Sequence, residues 1–131
     1  MRLINHWIDN RVVDTSPART GEVFDPATGR VAAAVAFADA SEVDAAVDSA
    51  RRALPGWRDT ALTRRQRILF AYRDLVERHA ADIGKALTAE QGKTTADAVG
   101  EVTRGLEVIE FATGIPHLLK GEFSENVSTA V

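Results

Sequence analysis

The chain has 131 residues, 45% of them hydrophobic and 27% charged, which is the balance of a folded globular protein. A net charge of -3 exerts no long-range pull on nucleic acid or an anionic membrane surface, so neither partner is expected. No apolar run approaches the roughly 20 residues of a membrane span, Met1 to His6 lack the apolar core of a secretory signal, and the absence of cysteine excludes disulfides, thiolate metal sites and a thiol nucleophile from this segment. The lack of a span and of a signal points to the cytoplasm, whereas the missing cysteines by themselves identify no compartment.

Leu3 to Ile8 and Arg11 to Val13 are apolar-rich runs separated by Asp9-Asn10, a pair that tolerates the positive φ values of a tight hairpin turn. Glu22 to Phe24 and Val31 to Phe37 flank Asp25-Pro26-Ala27-Thr28-Gly29, where Pro26 fixes φ and Gly29 takes a left-handed conformation. A second hairpin is expected there. Isolated hairpins are marginal in water, so both need another surface to lie on.

Ser41-Glu42-Val43-Asp44 has the composition of a capped helix start, and Val43, Val47, Ala50 and Leu54 follow at helical spacing. Pro55-Gly56 is expected to close that helix. Thr63 and Gln66 have the spacing of a capping box for the next, whose buried stripe is Ile68, Leu69, Tyr72, Leu75 and Val76. A third helix over about Ala80 to Gln91 carries Ile83 and Leu87 and should stop at Gly92. A fourth runs from about Thr95 to Thr113 with two apolar faces: Val99, Val102, Leu106 and Ile109 on one, Val108 and Phe111 beside Arg104 on the other. Gly100 and Gly105 would let a neighbouring backbone or ligand come close. Gly114 and Pro116 end this helix, and in the polar stretch from Gly121 to Val131 the spacing of Phe123, Val127 and Val131 suggests an extended arm. The expected fold is therefore α+β and mostly helical: N-terminal β-hairpins over residues 1–40, four helices over 41–114, and an extended C-terminal arm over 115–131. No repeat, low-complexity tract or linker divides the chain.

Among the motifs, Gly92-Lys93-Thr94 matches the end of a P-loop, but the glycine required five positions earlier is Leu87, and a helix C-cap is the better reading. His6, His79 and His117 have no spacing suited to a helical metal pair. Eight arginines between Arg51 and Arg78 stand against three acids, Asp59, Asp74 and Glu77, without an interleaved aromatic platform. They read as a solvated face with ion pairs inside the protein. Arg104 is different, because its neighbours on the helix, Val108 and Phe111, are apolar and a guanidinium buried there needs an anion. That anion is either Glu101 (better placed than Glu107) or a ligand carboxylate.

Phe24-Asp25-Pro26-Ala27-Thr28-Gly29, the helix from Ser41 with Ala45-Ala46-Val47 and Trp57, and Glu90-Gln91-Gly92-Lys93-Thr94 together resemble the N-terminal part of the aldehyde dehydrogenase superfamily. The run Gly100-Glu101-Val102-Thr103-Arg104-Gly105-Leu106-Glu107, then Glu110-Phe111-Ala112, Gly114-Ile115-Pro116-His117, Gly121-Glu122 and Ser124-Glu125-Asn126-Val127-Ser128, is similar to one branch, the CoA-acylating methylmalonate-semialdehyde dehydrogenases. The resemblance spans nearly the whole chain and implies an incomplete aldehyde dehydrogenase-like fold, belonging to a longer, homo-oligomeric protein with an NAD domain, a catalytic domain and an oligomerisation arm that would begin within residues 115–131. In such enzymes a cysteine attacks the aldehyde, hydride passes to NAD, and the thioester loses carbon dioxide before coenzyme A takes the acyl group.

The resemblance thus implies NAD and coenzyme A as cofactors of the complete enzyme, with neither bound by this segment alone, and it supplies no catalytic, cofactor-binding or metal residue within 1–131. It carries over one position, Arg104, onto the family arginine that holds the substrate's free carboxylate. The expected function is the N-terminal part of a methylmalonate- or malonate-semialdehyde dehydrogenase of valine and pyrimidine breakdown, inactive alone, whose partners are the remainder of the enzyme or other subunits and a small semialdehyde. The alternative is a freestanding helical interaction module, a remnant of such an enzyme that binds a partner chain.

Overall fold

A computed structural model describes residues 1–14 and 16–122. The tail spacing of Phe123, Val127 and Val131 lies outside them. The first apolar run does not form one strand. It splits into β1 (Arg2–Ile4) and β2 (His6–Ile8), which join different sheets. β2 turns through Asp9 and Asn10, at φ 57° and 59°, into β3 (Arg11–Val13), pairing Trp7 with Val12 as the turn residues require.

β4 (Thr20–Phe24) and β5 (Val31–Ala36) form the second hairpin. The backbone N–H groups of Gly29 and Ala27 donate to the Asp25 carbonyl and carboxylate, both at 2.8 Å, and Gly29 takes φ 69°. β1 then adds to the far side of β5 in parallel, Leu3 opposite Ala34, giving the order β1-β5-β4. Parallel pairing across some thirty residues is non-local and leaves no turn signal in the sequence.

α1 (Ala40–Arg58) starts one residue before the expected Ser41 because Asp39 is its cap. The Asp39 carboxylate accepts from the Glu42 N–H at 2.9 Å, and the Glu42 side chain accepts from the Asp39 N–H at 2.9 Å. The helix also runs through Pro55-Gly56. Pro55 stands in its last turn, where Asp59 N–H donates to the Pro55 carbonyl at 3.0 Å and the Thr60 hydroxyl donates to the Gly56 carbonyl at 2.6 Å.

α2 (Leu62–Arg78) begins at an Ala61 cap that uses no side chain, so the Thr63–Gln66 capping box does not form. Gln66 instead donates to the Thr113 carbonyl at 2.9 Å, tying α2 to the end of α4. α3 (Ala80–Gln91) ends at Gly92 with φ 79°, and α4 (Thr95–Ala112) starts at Thr94, whose hydroxyl accepts from Asp97 N–H at 3.2 Å. The expected break at Gly114 is followed by one further helical turn, α5 (Ile115–Leu118), at the start of the 115–131 segment.

Packing concentrates in two places. β5 buries Ala33, Ala34 and Ala36, and the α3–α4 contact buries Gly84, Ala98 and Val102. A Cβ on Gly84 would lie 2.8 Å from Val99 Cγ2, so the absent side chain is what brings α3 and α4 together. Gly100 and Gly105, the positions the sequence pointed to, have nothing within 4 Å of such a Cβ. The expected stripes on α1 and α2 are not core: Val43, Val47, Leu54, Ile68, Tyr72 and Leu75 are all exposed.

Arg73 on α2 donates to Glu77, and its Nε donates to Glu110 on α4 at 2.9 Å. These carboxylates, Glu77 first, hold the guanidinium in its charged form even more firmly than usual. Arg65 donates its Nε to the Thr60 carbonyl at 3.0 Å and lies 5.4 Å from the Trp57 ring, fastening the α1–α2 corner. Arg51 and Arg58 pair with Asp48 and Asp59, and Arg52 reaches Asp9 in the first hairpin.

Candidate functional site

Two adjacent chemical features converge where α3 hands over to α4. Gly92 in its left-handed conformation turns the chain sharply, and a Cβ there would sit 3.1 Å from Pro26, so the β4–β5 turn backs this corner. Lys93 follows, then the Thr94 cap. The first turns of α4 carry Ala96, Asp97, Gly100, Glu101 and Arg104 along one side, and with Lys93 they line an open cavity of about 400 Å³. The opposite side of α4, through Ala98 and Val102, is buried against the bundle. The alternation follows from the helical period: residues 97, 101, 104, 108 and 111 share the outward face.

Each acid in this cavity already has a partner. The Thr94 hydroxyl donates to Asp97 at 2.8 Å, and Lys93 Nζ is paired with Glu101. Lys93 is the more enclosed of that pair, its side chain 22% exposed against 47% for Glu101. Arg104 makes no ion pair among the described residues. Its guanidinium is exposed, which corrects the expectation that burial forces an anionic partner on it, and Glu101 is held by Lys93 in place of Arg104. Beyond Arg104 the same face continues as Val108 and Phe111, 68% and 71% exposed. A cation flanked by a bare apolar strip suits a small ligand with a carboxylate at one end and a short carbon chain at the other.

The remaining sequence candidates separate. His6 lies 3.8 Å from Glu42, while His79 serves as the shared residue between α2 and α3 and His117 lies in α5. Among the described residues no three metal-capable side chains cluster and no helix is long and apolar enough to cross a membrane. The Gly92-Lys93-Thr94 backbone does not fit a nucleotide phosphate: Gly92 is closed against Pro26, and the Thr94 hydroxyl takes the Asp97 N–H at the head of α4. In the sequence Lys93 stands only within an incomplete P-loop match. The signal that could have found its partner is Glu101, two turns into the helix that Thr94 caps.

Comparison with known proteins gives a match of residues 12–131 to the model of the aldehyde dehydrogenase family. A malonate-semialdehyde dehydrogenase of Pseudomonas aeruginosa is 39% identical over 127 residues, covering 97% of this chain and 25% of that protein. The mitochondrial acylating methylmalonate-semialdehyde/malonate-semialdehyde dehydrogenase of Mus musculus is 38% identical, covering 93% of this chain and 23% of its own length. Among solved structures, a Sinorhizobium meliloti protein described as a methylmalonate-semialdehyde dehydrogenase, crystallised with NAD, aligns with a TM-score of 0.89 at 40% identity. That alignment covers 98% of this chain and 26% of the other. The chain thus spans about a quarter of the length of the relatives it matches.

Proposed function

This chain belongs to the aldehyde dehydrogenase family, and from that premise we propose that it forms the N-terminal part of an NAD-dependent, CoA-acylating dehydrogenase of malonate or methylmalonate semialdehyde. Its own task is to bind and orient the substrate's carboxylate through Arg104. The reading is supported by the relatives named for that activity and by the one observation that carries it: a guanidinium with no ion-pair partner among the described residues on the outer face of α4, beside two acids that are both engaged elsewhere. A planar guanidinium grips a carboxylate with two parallel hydrogen bonds, and a charge-assisted bond of this kind contributes about 1.5–3 kcal/mol.

NAD accepts the hydride in such an enzyme, and coenzyme A takes the acyl group. No residue of this chain is assigned to either, since the chain has no cysteine and its one glycine-lysine-threonine corner does not fit a phosphate. The chain therefore supplies position and charge, and the bond-making groups belong to the rest of the protein. Valine and pyrimidine breakdown are the routes that generate these acidic aldehydes, and a homo-oligomer is the proposed form of the complete enzyme.

The test is Arg104→Ala in an active enzyme that contains this segment, assayed with malonate semialdehyde and with propanal, which has no carboxylate. The expected result is a loss of kcat/KM of roughly tenfold to a hundredfold for the acidic aldehyde and a far smaller loss for propanal. Equal losses for both would refute the role.

A further inference from the structure

We propose that Lys93 is a positioning residue: by engaging Glu101 it keeps that carboxylate off Arg104 and leaves the guanidinium open to a ligand carboxylate. The inference rests on the substrate reading above and goes beyond it. Glu101 and Arg104 stand three residues apart on one helix wall, a spacing at which opposite charges ordinarily pair. They do not pair here. The Glu101 carboxylate is taken by Lys93, which enters from the corner before the helix rather than from the helix itself.

Three features fix that corner. Gly92 is held against Pro26, Thr94 caps α4, and the Lys93 side chain is only 22% exposed, unusually enclosed for a lysine. Asp97, the other acid in the cavity, is occupied by the Thr94 hydroxyl at 2.8 Å. Glu107, three residues beyond Arg104, is not part of the cavity wall. Both carboxylates of the cavity wall are thus tied to the segment 93–94, and no ion pair joins Glu107 to Arg104 among the described residues.

Removing the Lys93 ammonium frees Glu101 to compete with substrate. A receptor group occupied part of the time by an internal competitor loses apparent affinity by the fraction occupied, and an exposed pair of this kind corresponds to about a two- to fivefold effect. The direct probe is the rate at which phenylglyoxal, an arginine-selective dicarbonyl, modifies Arg104 in the active enzyme that contains this segment, read by peptide mass spectrometry with other exposed arginines as internal standards.

Lys93→Met should slow modification of Arg104 about two- to fivefold, and adding Glu101→Gln to it should restore the original rate. An unchanged rate in Lys93→Met, or a slowing that Glu101→Gln does not relieve, overturns the proposal. In the active enzyme, Lys93→Met should raise KM for malonate semialdehyde relative to propanal, and Glu101→Gln should reverse the rise. If Arg104→Ala discriminates against the acidic aldehyde but Lys93→Met does not, the Lys93 role fails alone. If Arg104→Ala harms both aldehydes equally, the substrate reading fails, and the phenylglyoxal rates still decide what Lys93 does.

Discussion

Asp39 caps α1 although Ser41, two residues later, carries the more obvious hydroxyl. The Ser41 hydroxyl donates to the Asp39 carboxylate at 2.7 Å, so the serine serves the cap. That bond, followed by the Glu42 N–H, holds the Asp39 carboxyl below its ordinary value of 3.8. The sign follows directly: a carboxyl whose pKa is depressed on folding stabilises the folded form above its unfolded value, and the contribution is lost as pH falls through the lower folded value. In an acid titration followed by NMR, the Glu42 amide should therefore shift with a midpoint below 3.8. A midpoint at or above that value would contradict the cap. From the sequence the helix is expected to start at Ser41; Asp39 and Glu42 also have capping-box spacing, and which residue caps depends on where β5 releases the chain. Arg104 was legible as the arginine out of keeping with its apolar neighbours. Its freedom from Glu101 was not, because that depends on Lys93 reaching across a corner closed by Pro26.

At the scale of elements, the α3–α4 contact turns on Gly84. An alanine there gains about 1 kcal/mol of helix propensity but brings its methyl to 2.8 Å from Val99, whose branched side chain has little rotamer freedom to yield. Overpacking costs about 1–3 kcal/mol, so Gly84→Ala should on balance destabilise the bundle. Thermal loss of helical circular dichroism should come at lower temperature in this variant, and Val99→Ala in the same chain should recover part of the loss. A stabilised Gly84→Ala would show that the helices have room to part. The helices themselves were readable because caps, periodicity and Gly92 are local signals. What escaped was non-local: the break at Asn5 that sends β1 to β5, and the contact that turns Gln66 from a cap into a tie on Thr113. Pro55 misled for a different reason. A proline in the final turn disturbs few bonds, and Thr60 and Asp59 secure the carbonyls that follow.

Across the whole molecule, burial is thin. Among the described residues no large side chain is fully buried, and the chain exposes 10389 Å² where a compact monomer of its 14.2 kDa exposes about 6,800 Å². Val43, Val47, Leu54 and Trp57 on α1, with Ile68, Phe70, Tyr72 and Leu75 on α2, form apolar faces that stay about half exposed. A chain of this kind should bind a hydrophobic dye and associate as concentration rises, which sedimentation would record; a strictly monomeric species with a sharp cooperative melt would count against it. Such faces fit the proposed function, in which further parts of a longer enzyme would pack against them. On the proposed function, this segment contributes architecture and one carboxylate-binding arginine, and the reacting groups lie elsewhere in the enzyme. The most direct measurement is NADH absorbance when the purified chain alone is mixed with malonate semialdehyde, NAD and coenzyme A. The account predicts no increase over the protein-free rate, and NADH formation that scales with the amount of chain would contradict it.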